Sequence, residues 1–169
     1  MTNDALFVEK QKFNQWWLWM LLLVLLGLFC HKVFLYYTAP NNVELIDILI
    51  FGCIVISIII LFLILRLDTI IKKDGVYVRF FPIHIKYRYF PWAELSKCYL
   101  RKYSPIMEFG GWGYRISLKG KAYTVSGNTG LQLIFINNKK LLIGTQKNKA
   151  MEIVLERIER KLERSHKPK

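Results

Sequence analysis

The chain has 169 residues, 53% of them hydrophobic, and a formal net charge of +13. So apolar a composition excludes an ordinary soluble domain and turns attention first to membrane segments. The charge is uneven: 22 of the 25 basic residues lie between Arg66 and Lys169 against eight acidic ones, a formal +14 for that region.

Residues 1–15 form a short N-terminal segment carrying Lys10 and Lys12. Trp16 to Tyr37 then reads WWLWMLLLVLLGLFCHKVFLYY, and Leu45 to Leu65 reads LIDILIFGCIVISIIILFLIL. A hydrocarbon core of roughly 30 Å takes about 20 helical residues, so each segment can cross it. Residues 38–44 between them are an external loop, which makes a helical hairpin. The first segment exceeds a signal-peptide core, lacks a small-residue cleavage pattern and is soon joined by a second span, so it is expected to stay in the protein. Trp16, Trp17 and Trp19 at one end and Tyr36 and Tyr37 at the other suit headgroup level. The loop has no Lys or Arg, and both flanks do, which predicts that both termini are cytoplasmic. Of the ionisable residues in the spans, His31, Lys32 and Asp47 all fall toward the loop end. There Lys32 can snorkel and meet Asp47 as an interfacial ion pair, an expectation preferred to a proton relay with partners deeper in the span.

From residue 66 the pattern becomes short alternating segments, the period of strands. Asp68 to Lys73 and Val76 to Phe81 read as a hairpin about Asp74-Gly75, whose two central residues would take positive φ. Ile83 to Phe90 reads as a strand with Ile83, Ile85, Tyr87 and Tyr89 on a core face and His84, Lys86 and Arg88 on a polar one. Pro91 to Glu94 interrupts, Leu95 to Tyr103 resumes, and Ser104 to Gly113 is a loop. Tyr114 to Leu118, Lys121 to Val125, Leu131 to Ile136 and Lys140 to Gly144 follow as short strands. Over 148–164 the period changes: Met151, Val154, Leu155, Ile158 and Leu162 form the stripe of an amphipathic helix.

The segments IKKDGVYVRFFPI, PWAEL, GGWGYR, GKAYTVSGNTGLQL and KKLLIGTQKNKAMEIVLERI resemble those of bacterial pleckstrin-homology (PH) domains, in small membrane proteins where a helical hairpin precedes the domain. The resemblance covers most of Leu67 to Ile158 together with the hairpin. It implies an α+β membrane protein: a two-helix hairpin, then a cytoplasmic PH-like β-barrel or sandwich (66–169) of about seven strands, capped by the C-terminal helix. It also implies residence in the bacterial plasma membrane. One departure stands at Asn148, Lys149 and Ala150, where the family pattern has a proline followed by acidic residues. Bacterial PH domains have no settled common ligand, so the resemblance transfers no site residues.

The glycines of EFGGWGYRISLKGKAYTVSGNTG do not make a phosphate loop, because none is followed by a helix N-terminus that could hold an anion. They read as turns. His31, His84 and His166 are scattered, and Glu94 and Glu108 show no pairing, so no catalytic residue is singled out. Cys30, Cys53 and Cys98 show no ligand spacing, and neither a metal nor a cofactor is expected. What remains is the basic domain. Near an anionic leaflet each Lys or Arg contributes about 1 kcal/mol of attraction, which makes Arg66, Lys72, Lys73, Arg79, Lys86 and Arg88 the candidate headgroup-facing residues. The expected function is a non-enzymatic membrane-surface or protein-binding module. The alternative is a structural or accessory subunit whose hairpin packs with other membrane helices. Nucleic acid ranks behind both, since the aromatics alternate into the expected core instead of interleaving with the basic face.

Overall fold

A computed structural model describes residues 4–39 and 44–165, with side chains as far as Ile158. Most of the expected loop 38–44, the side chain of Leu162 and all of His166 lie outside the described residues. The chain is α+β and divides into two compact units, one of residues 13–65 and the other of the N-terminal strand with everything from Arg66 onward.

The first unit holds α1 (Trp16–Thr38) and α2 (Leu45–Ile64), each within one residue of the expected bounds. Both are long and apolar enough to cross a membrane. Leu18, Leu22, Ile48, Gly52 and Val55 are buried, whereas most of the other apolar side chains are exposed. The helices meet at Gly52, where an added Cβ would lie 2.8 Å from the Phe29 ring. Such close approach at a small residue is how apolar helices associate where lipid tails are as greasy as leucine.

The second unit has nine strands among the described residues. The first, β1 (Ala5–Lys12), was not expected: residues 1–15 read as a plain segment, yet β1 pairs antiparallel with β2 (Arg66–Lys72). Lys12 stands opposite Arg66, so the chain leaves this sheet and re-enters it at adjacent positions. The sheet continues through β3 (Gly75–Phe81) and β4 (Arg88–Pro91) in the order β1-β2-β3-β4. The other sheet is built from β5 (Leu95–Lys102), β6 (Gly113–Ser117), β7 (Gly120–Thr124), β8 (Thr129–Phe135) and β9 (Lys140–Gly144), in the order β5-β8-β9-β7-β6. All its neighbours run antiparallel except β7 and β9. A short helix, α3 (Pro105–Phe109), occupies the expected loop, and α4 (Asn148–Ser165) closes the chain. Leu67, Ile71, Val76, Val78 and Phe80 of the first sheet are buried, as are Leu131, Leu133, Leu142 and Ile143 of the second and Met151, Val154, Leu155 and Ile158 of α4.

Two local expectations are corrected. The strand expected over Ile83 to Phe90 begins only at Arg88, because Pro82 cannot donate to a ladder and the His84 amide instead closes a turn onto the Phe80 carbonyl at 2.7 Å. Its faces consequently change. Ile83, Ile85 and Tyr89 are exposed, Ile85 by 76%, while His84 is half-buried. At the β2–β3 turn Gly75 does not take positive φ. Glycine is needed there because a Cβ would collide with the Phe90 carbonyl oxygen of β4.

Candidate functional site

The six basic residues singled out from the sequence do not form one patch. Asp68 is 1% exposed, and Arg79 donates to its Oδ2 from Nε at 3.0 Å and Nη2 at 2.6 Å. Arg66 Nε lies 3.5 Å from the same oxygen. The hydrogen bond to Asp68 holds the Arg79 guanidinium above its ordinary pKa. Both guanidiniums also cover aromatic faces, Arg66 over Phe81 at 5.2 Å and Arg79 over Tyr87 at 4.5 Å. These two cations therefore neutralise a buried carboxylate and hold the sheet.

Lys72 is also committed, its Nζ 5.1 Å above the Tyr77 ring. Tyr77 stacks on Tyr89 and donates to Asp74 Oδ2 at 2.5 Å. That bond lowers the pKa of Asp74 and pushes the Tyr77 phenol up to about 12. Lys73 and Lys86 are solvent-exposed. In the helical unit Lys32 and Asp47 form no ion pair. Lys32 instead places Nζ 5.4 Å from the centre of the Phe51 ring.

Of the six, Arg88 lines a cleft in which further basic residues converge. It has a volume of about 720 Å³ and lies among β4, the β6–β7 turn and the β8–β9 turn. Arg88, Lys119, Lys121, Lys139 and Lys140 line it, with Glu94 the single carboxylate. The turns are set by backbone geometry. Gly120 has φ +116° and approaches so closely that a Cβ would lie 2.5 Å from the Lys140 carbonyl oxygen, which brings the β6–β7 turn against the start of β9. Asn138 at φ 61° makes the β8–β9 turn, where the Lys139 amide donates to Asn137 Oδ1 at 3.1 Å.

An aromatic wall stands beside the cleft. Tyr123 stacks on Tyr114, and His84 packs against both rings with centroids 5.2 Å and 5.5 Å away. Arg88 Nη1 donates to Tyr123 Oη at 3.3 Å, which fixes the guanidinium at the cleft edge. Burial lowers the His84 pKa first, and the charges of Arg88 and Lys121 lower it further. The same two cations that line the cleft thus disfavour a third positive charge behind it.

Glu108 is clamped by Arg101 through bonds of 2.9 and 3.1 Å, with Lys119 Nζ at 3.9 Å. The Arg101 bond holds its carboxyl below the usual range. Arg101 also donates to Gln132 Oε1 at 2.9 Å, so this pair ties α3 to β5 and β8. Lys119 alone connects it to the cleft. Among the described residues no three His, Cys, Asp or Glu side chains gather where they could hold a metal ion.

Lys119, Lys121, Lys139 and Lys140 were not singled out from the sequence. Their one common signal is position: each lies in or next to a turn that carries Gly120 or Asn137-Asn138. No family model, curated protein or solved structure matches the chain.

Proposed function

We propose that this chain is a non-enzymatic integral protein of the bacterial plasma membrane, whose PH-like cytoplasmic domain binds a phosphate-bearing anion in the basic cleft. The observation that carries the reading is the convergence of Arg88, Lys119, Lys121, Lys139 and Lys140 around one concavity with a single opposing carboxylate. Like charges repel, so a folded domain gains nothing by gathering them unless an anion is met there. The PH-like assignment is supported by a sheet of consecutive antiparallel strands, a second sheet and a terminal amphipathic helix with Met151, Val154, Leu155 and Ile158 buried. That both termini lie on one side of the membrane is supported by the pairing of β1 with β2, and that this side is the cytoplasmic one by the Lys and Arg residues that flank the hairpin and are missing from its loop. Two strands of one sheet occupy one side of a membrane, and the hairpin is the only segment between them.

The test uses the full-length protein in a zwitterionic detergent, titrated with glycerol 1-phosphate by calorimetry. Arg88→Gln and Lys121→Gln are each expected to weaken binding about fivefold, the equivalent of about 1 kcal/mol per cation. Lys73→Gln, exposed and outside the cleft, should leave it unchanged. If the wild-type protein takes up no phosphate, or the Arg88 and Lys121 variants bind as well as wild type, the cleft is not a binding site.

One observation favours the accessory-subunit role. Gly27 on α1 has open space where its Cβ would stand, whereas the Gly52 position on α2 is filled by Phe29. A second membrane protein approaching there should be lost on Gly27→Leu, with phosphate binding retained, which co-purification from native membrane would show.

A further inference from the structure

We infer that the rim of the cleft docks on the bilayer, so that its anion is the headgroup of an acidic lipid; this rests on the reading of the cleft as an anion site. The β6–β7 turn lifts Leu118 wholly into solvent, at 108% relative exposure, and Ile116 two residues earlier is 67% exposed. Both line the cleft. At the neighbouring β8–β9 turn, Ile136 is 70% exposed and adjoins the lining residues Phe135 and Asn137. A single exposed leucine needs no explanation. Three large aliphatic side chains on or beside the same two turns as Lys119, Lys121, Lys139 and Lys140 make a different pattern, an apolar rim interleaved with cations.

That pattern matches one kind of surface. Apolar tips enter the boundary between headgroups and acyl chains, while lysines, with apolar stems and charged ends, stay at phosphate level. A free phosphate would be served by the cations alone and gives Leu118 nothing to bury. The domain is also confined near a bilayer that its helices cross, because only Phe13 to Gln15 separate β1 from α1 and only Leu65 separates α2 from β2.

The experiment uses the full chain with Cys30→Ala, Cys53→Ala and Cys98→Ser, carrying a nitroxide at Leu118→Cys. A second sample carries it at Ile153→Cys, an exposed position on α4. Each is reconstituted into vesicles of phosphatidylcholine alone or with added phosphatidylglycerol, and label depth is read from collisions with oxygen against a water-soluble nickel chelate. The label at 118 is expected to become oxygen-rich and chelate-shielded only with phosphatidylglycerol, while the label at 153 stays in water. In the sample labelled at 118, Ile136→Ser, a change at an exposed residue outside the cleft lining, should reduce the shielding severalfold without changing glycerol 1-phosphate affinity. A label at 118 that stays in water in both vesicles, while glycerol 1-phosphate still binds, overturns the docking and leaves the cleft standing. Equal shielding in the two vesicles overturns the choice of an acidic lipid. Failure of glycerol 1-phosphate to bind removes the cleft reading and this inference with it.

Discussion

Asp68 shows how one side chain reassigns its neighbours. A carboxylate 1% exposed in a central strand must be paired, and it draws Arg79 and Arg66 away from any ligand. Asp68→Asn should lower stability by about 2 kcal/mol, less than for a fully buried pair because both arginines are partly screened by water. Thermal melting of the detergent-solubilised protein would show it. His84 sets a second residue-scale expectation. Its folded pKa is held below the ordinary 6.5 by burial, then by Arg88 and Lys121, so as pH falls through 6.5 the unfolded chain takes up a proton before the folded one. The contribution of the neutral imidazole to stability is therefore lost progressively as the pH drops into that window and is gone below the folded value. His84→Phe should melt with a shallower decline on acidification. A phosphate between Arg88 and Lys121 would offset their charges, so added glycerol 1-phosphate should raise the His84 pKa in an NMR titration.

At the scale of elements, β1 depends on distant polar partners. Its buried side carries Phe7, Glu9 and Gln11, and its outward side Leu6, Val8, Lys10 and Lys12. Glu9 accepts from Thr145 Oγ1 at 2.7 Å and the Gln146 amide at 2.9 Å, and Gln11 Nε2 donates to the Gly144 carbonyl at 2.7 Å. The edge strand is thus stitched to the segment between β9 and α4. Glu9→Ala leaves the Thr145 hydroxyl and Gln146 amide without that acceptor, a loss of about 1–3 kcal/mol. Hydrogen exchange should quicken at the β1 amides while α1 is unaffected. The alternation is present in the sequence, but its buried face is partly polar, so hydropathy reads it backwards. Strands β2, β3 and β5 to β9 were legible to within two residues.

For the whole molecule, the pairing of Lys12 with Arg66 makes the hairpin an insertion between two neighbouring strands. Tags fused at the two termini should be digested together by protease added to inverted vesicles and protected together in right-side-out ones. One digested and one protected end would contradict a two-span hairpin.

The sequence by itself determined the two apolar helices, the change to strands after them, the terminal helix and the concentration of basic charge after Leu65. Each is written in contiguous residues and needs no knowledge of what packs against it. Only the tertiary structure decided which cations are spent on Asp68 and which line the cleft, because that depends on segments far apart in the chain. Arg88, Lys121 and Lys140 belong to three strands of two sheets, and no local pattern brings them together. The glycines illustrate both levels: Gly120 is legible as a turn, but its approach to the Lys140 carbonyl, which helps shape the cleft, exists only once β7 and β9 are paired.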